Sequence, residues 1–235
     1  MTSRYLIVAD PLETLNPVFD LGVCLSRELL ERGIEVDYLD LLASDPSLPT
    51  AEYLERLPVR RLLSADAGRR PFWELDPIRA AAAASYHVIL QRKDPPVDEV
   101  FVRYSRHFEA LSQHVVQINR PPATCTLSEH TLALRWPEFA APTDVCTSFE
   151  ELVAAVRRQP GEAVCKPLNT YCGIGVTFVP HDVDAEALRP FWEAWRPEVI
   201  VQPFLEEIES SGDLRILTIN DRVLGSVLRV PPPGS

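Results

Sequence analysis

A lysine placed just ahead of a loop that carries two glycines is the residue pattern in this chain with the clearest chemical potential. It occurs in VCKPLNTYCGIGVTFV, residues 164–179, where Lys166 precedes Gly173 and Gly175 and apolar, β-rich arms flank the loop. In the familiar phosphate loop the lysine follows the glycines and opens a helix, so this is a different arrangement. A strand-borne lysine facing such a loop can hold a nucleotide phosphate from one side while loop amides cover the other. The segment taken alone also fits a surface hairpin with a solvated lysine.

Two further stretches carry reactive types. In VQPFL (201–205), apolar residues beside exposed backbone could border a base; further on, Asp213 could meet ribose hydroxyls, and Arg215 lies two positions later on the same strand face. Core strands commonly look the same. In LQRKDPP (90–96), Arg92 stands at the carboxyl end of an expected parallel strand, where ligands of open α/β sheets bind. Its guanidinium could grip a carboxylate through two parallel hydrogen bonds, or the segment could be a charged strand-to-helix turn.

The elements that must position these residues follow from periodicity. Tyr5–Ala9 is a short apolar run suited to a buried strand, Val18–Arg32 has helical spacing closed by Gly33, and Ile34–Leu39 alternates as a strand. A strand–helix–strand unit of this kind predicts a parallel, Rossmann-like sheet with right-handed crossover. Residues 44–78 read as an excursion with one helix near Ala51–Leu57, its arginines forming a solvated face. Tyr86–Gln91, a helix over Asp98–His114 and Val115–Ile118 make a second α/β unit, and Asn119–Pro122 marks a boundary.

Beyond it we expect a helix near Leu127–Trp136, a strand at Thr143–Cys146 and a helix capped by Ser148 and Glu151. The glycine-loop strand pair, a helix over Asp184–Trp195, a strand at Val199–Gln202 and a hairpin turning at Asn220–Asp221 complete the chain.

Size and composition bound the function. The 235 residues allow one large or two modest domains, and a net charge of −11 argues against nucleic-acid or anionic-membrane binding by the chain as a whole. The N-terminal apolar run is too short for a signal peptide, and five cysteines without CxxC pairing suit reduced thiols in the cytoplasm. The tryptophans, Trp192 and Trp195 among them, read as packing, and the histidines have no metal-binding spacing.

In order and spacing, the segments IVADP (7–11), VILQRKDPPVD (88–98), QINRP (117–121), VCKPLNTYCGIGV (164–176), VQPFLEEI (201–208), GDLRIL (212–217) and LRVPPPG (228–234) resemble the prokaryotic glutathione synthetases of the ATP-grasp class. The resemblance covers nearly the whole chain. It implies an α/β fold: an N-terminal Rossmann-like, pre-ATP-grasp substrate domain over 1–120, a small ATP-grasp subdomain or lid over 121–198, and the start of the second subdomain over 199–235. It also implies ATP-driven joining of γ-glutamylcysteine and glycine through an acyl phosphate, with Mg2+ and small-molecule partners, and assembly into a homo-oligomer.

Residue by residue, the resemblance implies that Lys166 contacts the ATP phosphates beneath Gly173 and Gly175. Gln202 and Leu205 would border adenine, and Asp213 the ribose or a bound phosphate. Arg92, Arg215 and Arg229 would bind substrate carboxylates and the transferring phosphoryl group. The pattern departs at three places. His130 replaces a nucleotide-binding lysine, and Thr170 and Cys172 stand at usual glycine positions, which stiffens the loop. The family also continues beyond Ser235, so the resemblance implies a chain incomplete at its C-terminus, with magnesium ligands further on. Another amino-acid ligase of the class, or a binding module that no longer catalyses, remains open at this point.

Overall fold

The computed structural model describes residues 3–94, 96–111, 113–127, 129–168, 170 and 173–231, and the chain divides into two compact units, 1–129 and 130–235. Cys172 and the end of LRVPPPG, with its Gly234, lie outside the described residues.

Unit 1 opens with β1 (Arg4–Ala9), α1 (Leu21–Glu31) and β2 (Glu35–Asp40). It continues through α2 (Thr50–Glu55), β3 (Leu57–Ala65), β4 (Trp73–Leu75), β5 (Arg79–Ala81), β6 (Val88–Gln91), α3 (Glu99–Glu109), β7 (Val116–Ile118) and α4 (Pro121–Thr126). The sheet runs β4-β3-β2-β1-β6-β7, with β5 also paired to β3. Strands β2, β1, β6 and β7 are parallel, as expected, and β1 is wholly apolar along its buried part because both faces are covered. Leu6 and Val8 join Leu39, Ile89, Tyr104 and Phe108 on one face; Ile7 and Ala9 join Val23, Val36 and Leu90 on the other.

The helix ends are set by local chemistry. Asp20 and Asp98 accept backbone N–H groups of Val23 and Phe101 at 2.9 and 2.8 Å, capping α1 and α3. Gly33, at φ +70°, closes α1 while Ile34 N–H reaches the Leu29 carbonyl at 3.0 Å, a Schellman ending.

The expectation for residues 44–78 needs correction. The helix near Ala51 is present as α2, but Leu57–Ala65 and Trp73–Leu75, with Arg79–Ala81 just beyond, form an antiparallel extension of the sheet, so the sheet is mixed. Its signal was hidden because β4 and β5 are three residues each and pair with different halves of β3, whose register shifts between Leu62 and Ser64. The arginines there are not one solvated face either, because Arg61 stands opposite Asp37 in the β2–β3 register. Regular structure breaks at Asn119–Arg120 as expected, and Pro121 then opens α4, where its missing N–H costs nothing.

Asp37 is 1 % exposed and carries four donors: Arg61 Nε at 2.7 Å, Arg79 Nη2 at 2.5 Å, Tyr86 Oη at 2.6 Å and Arg4 Nη2 at 3.3 Å. Glu35 shares Arg61 at 2.9 Å, and the Arg4 guanidinium lies over the Tyr86 ring. Burial pushes the Asp37 carboxyl up, but hydrogen bonds from Tyr86, Arg61 and Arg79 outweigh it and hold the group below the usual carboxylate range.

Unit 2 begins in α5 (Glu129–Arg135) and follows with β8 (Asp144–Cys146), α6 (Phe149–Arg158), β9 (Ala163–Pro167), β10 (Thr177–Val179), α7 (Arg189–Trp195), β11 (Val199–Pro203), α8 (Glu207–Ser211), β12 (Asp213–Ile219) and β13 (Arg222–Arg229). Strands β10-β9-β11-β8 form an antiparallel sheet. One face packs Cys146, Ala163, Cys165, Val179, Val199 and Val201 against Leu152, Ala155 and Val156 of α6 and Trp192 of α7. The Ser148 hydroxyl accepts Glu151 N–H at 3.2 Å, and the Glu151 carboxylate reaches back to Thr147 N–H at 2.7 Å.

The helix expected over Asp184–Trp195 is interrupted: a 3-10 turn, Ala185–Leu188, precedes α7, since Pro190 can stand only in a helix's first turn. Burial pushes the Cys146 thiol to about 11 and the Cys165 thiol to about 12. Strands β12 and β13 form a separate hairpin through Asn220, at φ +51°, with Leu214, Ile216, Val227 and Leu228 more than half exposed across its two faces.

Replacing Asp37 tests its place in unit 1. Asp37→Ala leaves the buried Tyr86 hydroxyl and three partly exposed arginines without their shared acceptor and is expected to cost about 1–3 kcal/mol in urea unfolding at neutral pH. Because the folded carboxyl titrates below its unfolded value, its contribution is complete above the ordinary carboxylate range and is lost as pH falls through the lowered value. Stability of the native chain should therefore drop in acid, and Asp37→Asn should flatten that drop. An Asn variant equal to the native chain at neutral pH would remove Asp37 from this role.

Candidate active site

The face of the unit-2 sheet opposite its core carries the glycine-loop lysine. In the β9–β11 register, Lys166 stands opposite Ile200 and Gln202 opposite Val164, so the two polar side chains are diagonal neighbours on one face. Lys166 Nζ donates to Gln202 Oε1 at 2.8 Å, and Gln202 Nε2 donates to Thr143 Oγ1 at 2.7 Å. This chain fixes the amide orientation and limits the lysine rotamers. Phe178, opposite Val164 and 56 % exposed, adds an apolar surface to the same face and meets Phe204 edge-on at 5.5 Å. Leu205, just past β11, is also exposed.

The glycines of the loop are required by its path. Gly173 and Gly175 have φ of +76° and +75°, a region closed to most L-residues. A Cβ on Gly175 would also lie 2.7 Å from Pro167 and from the Trp195 ring, so α7 braces the loop where it rejoins the sheet. Thr170 Oγ1 donates to the Pro167 carbonyl at 3.4 Å. His130 bonds the same carbonyl through Nδ1 at 2.8 Å, and Nδ1 carries the proton in that bond because a carbonyl only accepts. The residue at the lysine position of the resemblance thus ties α5 to the end of β9.

On the hairpin, Asp213 and Arg229 are directly opposed, and Arg229 Nε lies 3.0 Å from each carboxylate oxygen. Arg229 holds the Asp213 carboxyl below the usual range. The positive charge of Arg229 is therefore already balanced by a residue to which the sequence assigned a separate role. Arg215 shares the strand face of Asp213 and is exposed opposite Val227.

Arg92 belongs to unit 1. It follows β6 directly, and its N–H bonds the Val8 carbonyl of β1 at 2.7 Å. The chain passes from β1 to β2 on one side, while β6 and β7 lie on the other, so Arg92 occupies the switch point at the carboxyl ends of parallel strands. Its Nε is buried and has no hydrogen-bond partner among the described residues. Next to it, Lys93 Nζ pairs with Asp10 at 2.8 Å. Burial, then the charge of Asp10, raises the Asp94 carboxyl.

Thr143, Phe178 and Asp10 were not among the residues singled out. Phe178 joins the lysine face through strand register and Thr143 through its hydrogen bond from Gln202. Asp10 was visible in IVADP, but no local pattern showed its partner 83 residues away.

The fold is of the ATP-grasp type. D-cycloserine synthetase DcsG matches with a TM-score of 0.62 at 15% identity, over 96% of this chain and 68% of that one. An ATP-grasp RimK domain protein from Sphaerobacter thermophilus DSM 20745 gives 0.60 at 18% identity, over 97% and 73%. Residues 4–124 match the N-terminal domain of prokaryotic glutathione synthetase and residues 129–235 its ATP-grasp domain. The glutathione synthetase of Parasynechococcus marenigrum (strain WH8102) is 32% identical over 235 residues, 98% of this chain and 73% of that protein. This chain therefore belongs to the prokaryotic glutathione synthetase family.

The two loop glycines should differ on substitution. Gly173→Ala meets backbone strain alone and is expected to cost about 1 kcal/mol, whereas Gly175→Ala adds a clash and should cost about 2–3 kcal/mol. Thermal unfolding of the two variants checks the order; equal losses would show that the Trp195 contact does not constrain the loop.

Proposed function

We propose that this protein is an ATP-dependent carboxylate–amine ligase that joins γ-glutamylcysteine to glycine, yielding glutathione, ADP and phosphate. The observation that carries the reading is Lys166, held by Gln202 on the strand leading into a loop of two left-handed glycines, in a chain that matches both domains of the family. The γ-phosphoryl group of ATP moves to a carboxylate oxygen of γ-glutamylcysteine, breaking its bond to ADP and forming an acyl phosphate. The glycine nitrogen then bonds the acyl carbon and loses a proton, while the C–O electron pair leaves with phosphate.

Lys166 supplies positive charge to the ATP phosphates, and loop amides around Gly173 and Gly175 cover them. Gln202 orients the lysine and, with Leu205, borders the adenine. Asp213 is close to the ribose or a bound phosphate, paired with Arg229, and Arg215 and Arg229 steady the substrate carboxylate and transferring phosphoryl group. Arg92 binds a substrate carboxylate, and its buried Nε, without a partner among the described residues, supports that role because such a donor requires an acceptor. His130 supports the loop through Pro167 and lies close to the nucleotide.

The family also implies magnesium, and among the described residues no group of three or more His, Cys, Asp or Glu side chains is placed to hold a metal ion. The free thiols of Cys24, Cys125, Cys146 and Cys165 suit a reducing cytoplasm, and no described helix is long and apolar enough to cross a membrane. Assembly into a homo-oligomer completes the reading.

The test supplies ATP, magnesium, γ-glutamylcysteine and glycine and follows ADP release. Release that requires both the dipeptide and glycine is expected. Nucleotide binding without turnover would favour a non-catalytic binding module, and turnover with other amino acids only would favour a different ligase. In nucleotide titrations, Lys166→Ala should weaken ATP binding by about 1.5–3 kcal/mol, tenfold or more, and Arg92→Ala much less. Equal effects would undo the separation of nucleotide and substrate roles.

A further inference from the structure

Two consecutive residues after Arg92 are held at the switch point by one carboxylate from the end of β1, while Arg92 N–H itself bonds the Val8 carbonyl. Asp10 Oδ1 pairs with Lys93 Nζ at 2.8 Å, and Asp10 Oδ2 accepts Asp94 N–H at 2.8 Å. Lys93 Nζ also donates to the Asp94 carbonyl at 2.6 Å, closing a small ring of contacts around the turn. Asp10 is itself fixed from the other side, since its carbonyl accepts the Tyr38 hydroxyl of β2. Both members of the Asp10–Lys93 pair are less than one-fifth exposed, so the contact is only weakly screened by solvent.

The arrangement divides the two cations of the RKD sequence. The charge of Lys93 is neutralised by Asp10, whereas Arg92 keeps a buried Nε with no partner among the described residues. The Arg92 stem lies against the first turn of α1, where a Cβ on Gly22 would come within 3.9 Å of Arg92 Cβ and Cγ. Arg92 is thus confined by α1 on one flank, while the turn that carries it is set by Asp10.

We infer that Asp10 is a positioning residue, which acts through Lys93 and the Asp94 amide to hold Arg92 where a dipeptide carboxylate is bound. The inference rests on the reading of Arg92 as the carboxylate-binding residue. A bidentate guanidinium–carboxylate pair tolerates little displacement, so loosening the turn weakens binding without removing any group that touches the ligand. Asp10 and Arg92 then act as one unit and their substitutions are not additive.

Calorimetric titration of γ-glutamylcysteine into the native chain, Asp10→Asn, Lys93→Met, Arg92→Ala and the Asp10→Asn/Arg92→Ala double variant tests this, with the thermal unfolding of each variant and its ATP binding as the folding controls. The native chain should bind, Arg92→Ala should lose tenfold or more, and Asp10→Asn and Lys93→Met should each lose roughly tenfold. The double variant should bind no more weakly than Arg92→Ala alone. If Asp10→Asn loses ATP binding as well, Lys93→Met decides, since it severs the same contact from the other side. Native-like binding by the clamp variants, or a double loss equal to the sum of the single ones, overturns the positioning role and leaves the ligase reading standing. No dipeptide binding by the native chain, or native binding by Arg92→Ala, overturns the substrate site itself and the inference with it.

Discussion

A single buried carboxylate, Asp37, is the constraint on which the first unit depends. Its donors come from β1, β3, β5 and the turn before β6, so one side chain joins three strands besides its own and the entry to a fourth. Taking a charge out of water costs several kcal/mol, and only a full set of donors in good geometry offsets it. That demand selects one register: slipping β3 by a single residue would turn Arg61 to the other face and leave Asp37 buried with fewer partners. Apolar contacts would tolerate alternatives that this network excludes.

With that register fixed, the opposite ends of the same strands gather the candidate site residues of the first unit. Parallel order brings the carboxyl ends of β1 and β6 side by side, which places Asp10 beside Lys93 and Arg92 against α1. In the second unit, antiparallel register has the corresponding effect, setting Lys166, Gln202 and Thr143 in a line of hydrogen bonds. In both units the side chains suited to anions are held by neutral or paired neighbours, so their geometry is arranged before any ligand arrives.

Much of this was legible in the sequence, and the reasons for the rest are specific. The strand pair around the glycine loop could be read because β-rich arms and glycines are local signals, and the left-handed angles at Gly173 and Gly175 agree with them. The capping by Ser148 and Glu151, the end of α1 at Gly33 and the turn at Asn220 are local as well. The Asp37 network was not legible, because its partners lie 24 to 49 residues away, or upstream at Arg4, and share no period. The sheet extension over β3–β5 was masked by short strands and a register shift. The pairing of Asp213 with Arg229 needed the hairpin register, and the bond from His130 to Pro167 needed the packing of α5.

The two buried thiols of the second unit have a practical consequence. Cys146 and Cys165 sit in the core of the small sheet, their ionisation suppressed by burial, while Cys24 and Cys125 of the first unit are only partly covered. A thiol reagent therefore meets the first unit's sulfurs in the native fold but reaches these two only when the sheet opens. Their labelling rate is a clock for opening of the second unit, built into the chain without an added probe.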